Sequence, residues 1–123
     1  MTTILYVEDN EDNIYMLSQR LQREGFDISI ARTGVEGIAL ARAQLPDLII
    51  MDLVLPELDG FAAARELRHG ADTRHIPIIA LSASVLPEHK HRAIDAGCDD
   101  FETKPVDLPR LLAKIQNLLR AAG

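Results

Sequence analysis

The sequence predicts an α/β fold in which five parallel strands alternate with five helices. Three observations carry that prediction. Strand-like and helix-like segments alternate five times along the 123 residues. The first, third and fourth strand segments are apolar at nearly every position, as strands covered on both faces are. The segments between strands are long enough for helical crossovers, which parallel pairing requires.

Each element has a local reason. Ile4 to Val7 is an unbroken apolar run and reads as the first strand. Asp12 can cap a helix running to about Glu24, with Met16, Leu17 and Leu21 inward and Gly25 as the stop. Phe26 to Ile30 alternates, as a half-covered edge strand does. Thr33 opens a second helix that ends before Pro46. Leu48 to Met51 is apolar again and forms the third strand. A third helix spans Gly60 to Arg68, and His69 to His75 is a polar loop. Pro77 precedes the fourth strand, Ile78 to Leu81. Pro87 suits the first turn of a fourth helix that ends near Gly97. Phe101 to Thr103 is a short last strand. Asp107 caps a final helix reaching Gly123, with Leu108, Leu111, Leu112, Ile115, Leu118 and Leu119 on one face. Apolar strands in the middle and polar or short ones outside select the order 2-1-3-4-5, the flavodoxin-like (βα)5 doubly wound arrangement. With Met1 at the start and a helix at the end, the expectation is one domain over residues 1–123 with no output domain.

Composition narrows the function. Hydrophobic residues make up 47% and aromatics 4%, so aliphatic side chains must fill the core. Asp and Glu number 19 against 13 Lys and Arg, a net charge of -6. No dense basic run exists for phosphate contacts, which argues against nucleic-acid binding by this chain. No apolar stretch approaches the roughly 20 residues of a membrane-spanning helix, and the strand pattern begins too early for a signal peptide. A cytoplasmic location is expected. Cys98, the only cysteine, permits no intrachain disulfide and suits a packing role.

Ligands in such sheets bind outside the carboxyl ends of the strands, at the switch between strands one and three. Strand one ends in Glu8-Asp9, strand three in Asp52, strand four in Ser82, and strand five runs into Lys104-Pro105. Taken singly, each has an ordinary reading. Asp9 could be a loop or cap residue, Ser82 a turn former and Lys104 a solvated lysine. Asp52 could cap the third helix, though Asp59 or Gly60 is better placed. Together they describe an acid pocket, a nucleophile, a hydroxyl donor and an ammonium. Two carboxylates ~4 Å apart repel by about 4 kcal/mol at an effective dielectric near 20. A proton or a cation must offset that, and hard oxygen donors suit Mg²⁺.

On Val7-Glu8-Asp9-Asn10, Met51-Asp52 with Pro56 and Gly60, Leu81-Ser82-Ala83 and Lys104-Pro105, the chain resembles a response-regulator receiver domain over its whole length. The opening run also resembles receivers of hybrid kinases and stand-alone regulators of the DivK type. The resemblance implies that Asp52 accepts a phosphoryl group. It implies that Asp9, Asp52 and the Val54 carbonyl bind Mg²⁺, with Glu8 acting through water. Ser82 takes the place of the switch hydroxyl, Lys104 that of the phosphate-binding lysine and Phe101 that of the aromatic switch. Lys104-Pro105 is typically a cis bond in this family. Glu8 stands where Asp is commoner, Ser82 where Thr is commoner, and Phe101 lacks the hydroxyl of the Tyr many members carry.

The expected partners are a histidine kinase or histidine-phosphotransfer protein and a downstream protein target, with the chain a monomer or weak dimer. After phosphorylation Ser82 moves to the phosphoryl group, Phe101 turns inward, and the face of the fourth helix, fifth strand and fifth helix repacks. Val54 and Ser84 flank the approach of water, and an apolar Val54 cannot orient it. His89, Lys90, His91 and Arg92 are expected to form a basic patch facing a partner. The other readings are a phosphorelay intermediate or phosphate sink, a docking module with a degenerate site, and an Mg²⁺-dependent aspartyl phosphotransferase. The last needs further acids and a substrate cap that 123 residues leave no room for.

Overall fold

A single parallel sheet organises the chain. The computed structural model describes residues 1–122, so the expected helix end at Gly123 lies outside the described residues. In chain order these form β1 (Thr3–Val7), α1 (Glu11–Arg23), β2 (Asp27–Ala31), α2 (Gly34–Gln44) and β3 (Leu48–Asp52). There follow α3 (Gly60–His69), β4 (Ile78–Ser82), α4 (Pro87–Asp95), β5 (Asp100–Thr103) and α5 (Leu108–Ala122). The five strands lie in the order β2-β1-β3-β4-β5, as the hydropathy pattern predicts. Val7 pairs with Met51 and Asp52 with Leu81, so the carboxyl ends of the central strands are level.

The sheet separates two cores. Leu5, Val7, Ile49, Met51, Ile78 and Ala80 face one side, packed against Ile38, Ala64, Leu67 and Ala93. Ile4, Tyr6, Leu48, Ile50, Ile79 and Leu81 face the other, against Leu17, Leu21, Leu111 and Ile115. Both faces of β1, β3 and β4 are therefore covered, and their apolar runs need no polar alternation. Burying each of these side chains stabilises the fold by roughly 1.5–3 kcal/mol.

Several boundaries differ from expectation for local reasons. Asn10, not Asp12, caps α1: its side chain accepts from the Asn13 amide at 3.0 Å. Asp12 instead lies in the first turn, where negative charge favours the helix dipole. Ile14, Leu17 and Leu21 form the buried stripe, and Met16 faces outward at 55% exposure. Strand β2 does not alternate, because Ile28, Ser29 and Ile30 are all half-buried at the sheet edge. Thr33, Asp59 and Asp107 cap α2, α3 and α5 through their side chains. Pro87 stands at the start of α4.

The loop after α3 is less polar in character than its sequence. Thr73 is buried, and its hydroxyl donates to the Leu67 carbonyl at 2.7 Å. Arg68 ties this loop to the rest. Its Nε donates to the Gly97 carbonyl at 2.7 Å, and its Nη1 to those of Arg74 and Ile76 at 2.8 and 2.6 Å. Its Nη2 pairs with Asp99, which also accepts from the Ile78 amide at 2.8 Å. One guanidinium thus joins α3 to the entries of β4 and β5. Arg68→Met should lower the unfolding free energy in urea by about 2–4 kcal/mol, because it strands three carbonyls. Arg68→Lys should recover less than half of the loss, since an ammonium lacks the fork.

Candidate functional site

The site follows from which residues stand one step beyond the strands. β1 and β3 are neighbours, so Glu8 and Asp9 emerge beside Asp52, the last residue of β3. Glu8 is 1% exposed and Asp52 4%, while Asp9 lies at the surface. One oxygen from each carboxylate lies within 4.8 Å of the others. At that separation each pair of charges repels by about 3 kcal/mol at an effective dielectric near 20.

Lys104, just past β5, is the cation that reaches this cluster. Its Nζ donates to Glu8 Oε1 at 3.0 Å and is ion-paired with Asp52 Oδ2. Burial disfavours the ammonium, but hydrogen bonds and attraction from Asp52 and Glu8 outweigh it and hold its pKa above the usual lysine value. The Lys104 amide bonds the Ser82 carbonyl at 2.8 Å, and the Lys104-Pro105 bond is cis. The other Asp52 oxygen, Oδ1, accepts from the Val54 amide at 2.9 Å. Val54 itself is 78% exposed at the mouth. Gly60 lets α3 begin against this strand end: a Cβ there would lie 2.3 Å from the Asp52 carbonyl oxygen.

Ser82 ends β4 next to this group and is buried. Its hydroxyl accepts from the Ser84 amide at 3.0 Å, a bond outside the acid cluster. Phe101 lies elsewhere, on β5 in the core beneath α4, and is already buried at 7% exposure. The expected basic patch is partly consumed by internal contacts. His89 Nδ1 meets the Ser84 hydroxyl, and the Arg92 guanidinium stacks over Phe61 at 4.0 Å. Burial raises the Cys98 thiol to about 12, in keeping with a packing role.

Sequence reasoning missed three supports. The Tyr6 hydroxyl donates to Glu8 Oε1 at 3.2 Å, and Asn13 Nδ2 to the same oxygen at 3.4 Å. The period of two placing Tyr6 on the strand face of Glu8 was the available signal. The third is Glu102, buried on β5 and paired with Arg110 and Lys114 of α5. Nothing in β5 alone marks it, because its partners come from the next helix.

Residues 4–116 match the response regulator receiver domain family. The chain belongs to that family. It is 34% identical over 117 residues to the polar-differentiation response regulator DivK of Brucella ovis, covering 95% of each chain. It is 36% identical over 117 residues to the response regulator PleD of Caulobacter vibrioides, covering 95% of this chain but 26% of PleD. Some relatives are thus much longer. Among solved structures it resembles the receiver domain of the sensor histidine kinase PA1611 of Pseudomonas aeruginosa, which has a magnesium ion in its active-site cleft. That match has a TM-score of 0.90 and 34% identity, covering 96% of this chain and 97% of that one. Receiver domains are switches of two-component signalling that interact with histidine kinases or phosphotransfer proteins and bind Mg²⁺ at an acidic site. Here three carboxylates face one ammonium, and hard oxygen donors with two unmatched negative charges fit a divalent cation.

Glu102 offers a stability test away from this receiver's acid cluster. Burial opposes its charge, but Arg110 and Lys114 outweigh that and hold its pKa below the usual carboxylate range. Its stabilisation is therefore present above the unfolded-state pKa and is lost as pH falls through the folded one. Glu102→Gln should be less stable by about 1–2 kcal/mol at neutral pH. In urea titrations at decreasing pH, that gap should close below about pH 4.

Proposed function

We propose that this chain is a single-domain response regulator whose Asp52 accepts a phosphoryl group from a histidine kinase or a histidine-phosphotransfer protein. The observation that carries the reading is the buried Asp52 carboxylate, set among Glu8, Asp9 and Lys104 at the switch point of the sheet. An Asp52 oxygen attacks phosphorus, the phosphorus–nitrogen bond of the donor phosphohistidine breaks, and the imidazole leaves with the electron pair. The transition state needs positioning and charge compensation more than covalent help.

Asp9, Asp52 and the Val54 carbonyl would hold Mg²⁺ directly, and Glu8 through water. When bound, the ion supplies positive charge to the phosphoryl oxygens. Lys104 exchanges its bond to Asp52 for one to a phosphoryl oxygen. Ser82 exchanges the Ser84 amide for another. Because the Ser84 hydroxyl meets both the Leu86 amide and His89, that exchange reaches the first turn of α4. Phe101 is the aromatic of the switch, and its buried position means that it acts by repacking under α4. The altered contacts lie on the α4-β5-α5 face, where Val85, Leu86, Phe101, Arg110 and Lys114 line a groove. Readout is a population shift between two packings, presented to a target protein in the cytoplasm. A phosphorelay role is the second reading, favoured by the likeness to the Ssk1 receiver domain of Saccharomyces cerevisiae, solved in complex with the histidine phosphotransfer protein Ypd1.

Phosphotransfer profiling against the host's histidine kinases and phosphotransfer proteins tests the assignment. Wild type should take up base-labile label, and Asp52→Asn should take up none; label on the Asn variant would overturn the reading. The apolar Val54 side chain cannot orient attacking water. Val54→Asn should therefore shorten the half-life of phospho-Asp52 at least about threefold, since one oriented hydrogen bond changes a barrier by roughly a kilocalorie.

A further inference from the structure

Tyr6 is the bulkiest fully buried side chain of the protein, yet it ends in a hydroxyl. It precedes Glu8 by two residues on and just after β1, so both side chains leave the same face of the sheet. Its ring belongs to the core that also holds Leu17 and Leu111, and its hydroxyl reaches Glu8 Oε1, 3.2 Å away. A phenol buried this deeply has no water to turn to, so its hydroxyl needs the acceptor that Glu8 provides.

Glu8 is nearly saturated. Oε1 accepts from Tyr6, from Asn13 Nδ2 at 3.4 Å and from Lys104 Nζ at 3.0 Å, and Oε2 accepts from the Asn10 amide at 3.3 Å. Of the side chains on Oε1, only Tyr6 is rigid and buried. Lys104 sits on a flexible stem and Asn13 is at the edge of hydrogen-bond range.

We propose that Tyr6 is a positioning residue for magnesium binding, whose hydroxyl fixes the orientation of the Glu8 carboxylate within the acid cluster. The inference rests on the reading of Glu8, Asp9 and Asp52 as the magnesium site. Without the hydroxyl, Glu8 Oε1 is held only by the flexible Lys104 ammonium and the long Asn13 contact, and Glu8 offers the cation a looser donor. The extra methylene of Glu8, compared with Asp, is the length that brings Oε1 to the tyrosine. Tyr6 and Glu8 are a matched pair.

Calorimetric titration of the full chain with MgCl₂, well below each variant's Tm, tests this. Tyr6→Phe should bind Mg²⁺ about tenfold more weakly than wild type, the low end of what losing a partner behind a metal ligand does. Tyr15→Phe, at an exposed position of α1, should bind as wild type does. In a Glu8→Asp background the Tyr6→Phe change should have no further effect, because the shorter carboxylate does not reach the hydroxyl. Melting curves in EDTA record the stability loss separately. Unchanged or tighter binding by Tyr6→Phe overturns the positioning role. So does an equal loss in the Glu8 and Asp backgrounds, which would make the tyrosine a purely structural support. Absence of Mg²⁺ binding by wild type overturns the reading of the site and this inference with it.

Discussion

Three carboxylates within 4.8 Å of one another would drive the strand ends apart, and Lys104 is what lets them stay. Its ammonium is shared between Glu8 and Asp52, each almost wholly removed from water. Taking such charges out of water costs several kcal/mol per ion unless partners replace the lost hydration. Asp52 has the Val54 amide as well, and Glu8 has Tyr6, Asn13 and Asn10. The compensation is incomplete by design of the charges: one ammonium against three carboxylates leaves a deficit that a divalent cation matches. Glu102 shows the opposite balance, one buried carboxylate against Arg110 and Lys114, and that pairing has a structural character.

The fold serves this arrangement through the sheet. Parallel pairing brings every strand's carboxyl end to one edge, and the reversal of strand order between β1 and β3 opens a crevice there. Two independent cores hold the sheet from both sides, so the ends of β1, β3 and β4 are stiff. At the opposite edge Arg68 gathers carbonyls from the loop after α3 and from Gly97. Polar chemistry is thus confined to the two rims of an apolar slab. One rim carries a satisfied clamp, the other a site with charge to spare.

Packing is thinnest around α4. Ser82, Ser84 and His89 form a chain of contacts from the end of β4 into α4. Helix α4 has only Ala93 among its buried residues and no side-chain cap on Leu86. It is tied to the core by a cation over an aromatic ring and by Phe101 below it. A helix held this lightly is where a local change in charge can shift a packing equilibrium.

Much of this was legible in the sequence, and the reason is periodicity. Three continuous apolar runs read as strands buried on both faces, and with a polar and a short strand beside them and helical lengths between, they leave little choice of topology. Asp52, Glu8, Asp9, Ser82 and Lys104 could be singled out because each stands at or just past the carboxyl end of a strand segment. What could not be read were pairings between segments distant in the chain. The bond from Tyr6 to Glu8 is the exception, because their two-residue spacing at the end of β1 marks a shared face. The Arg68 clamp, the Glu102 cluster and the stack of Arg92 on Phe61 join different elements, and no local pattern marks them. That Phe101 lies buried on β5 in the core shared with α4 was likewise decided by tertiary packing. Local hydropathy and backbone preference determined where the strands end and hence which residues meet. Only the tertiary structure decided which charges pair, because pairing depends on distances of a few ångströms between elements that sequence spacing does not encode.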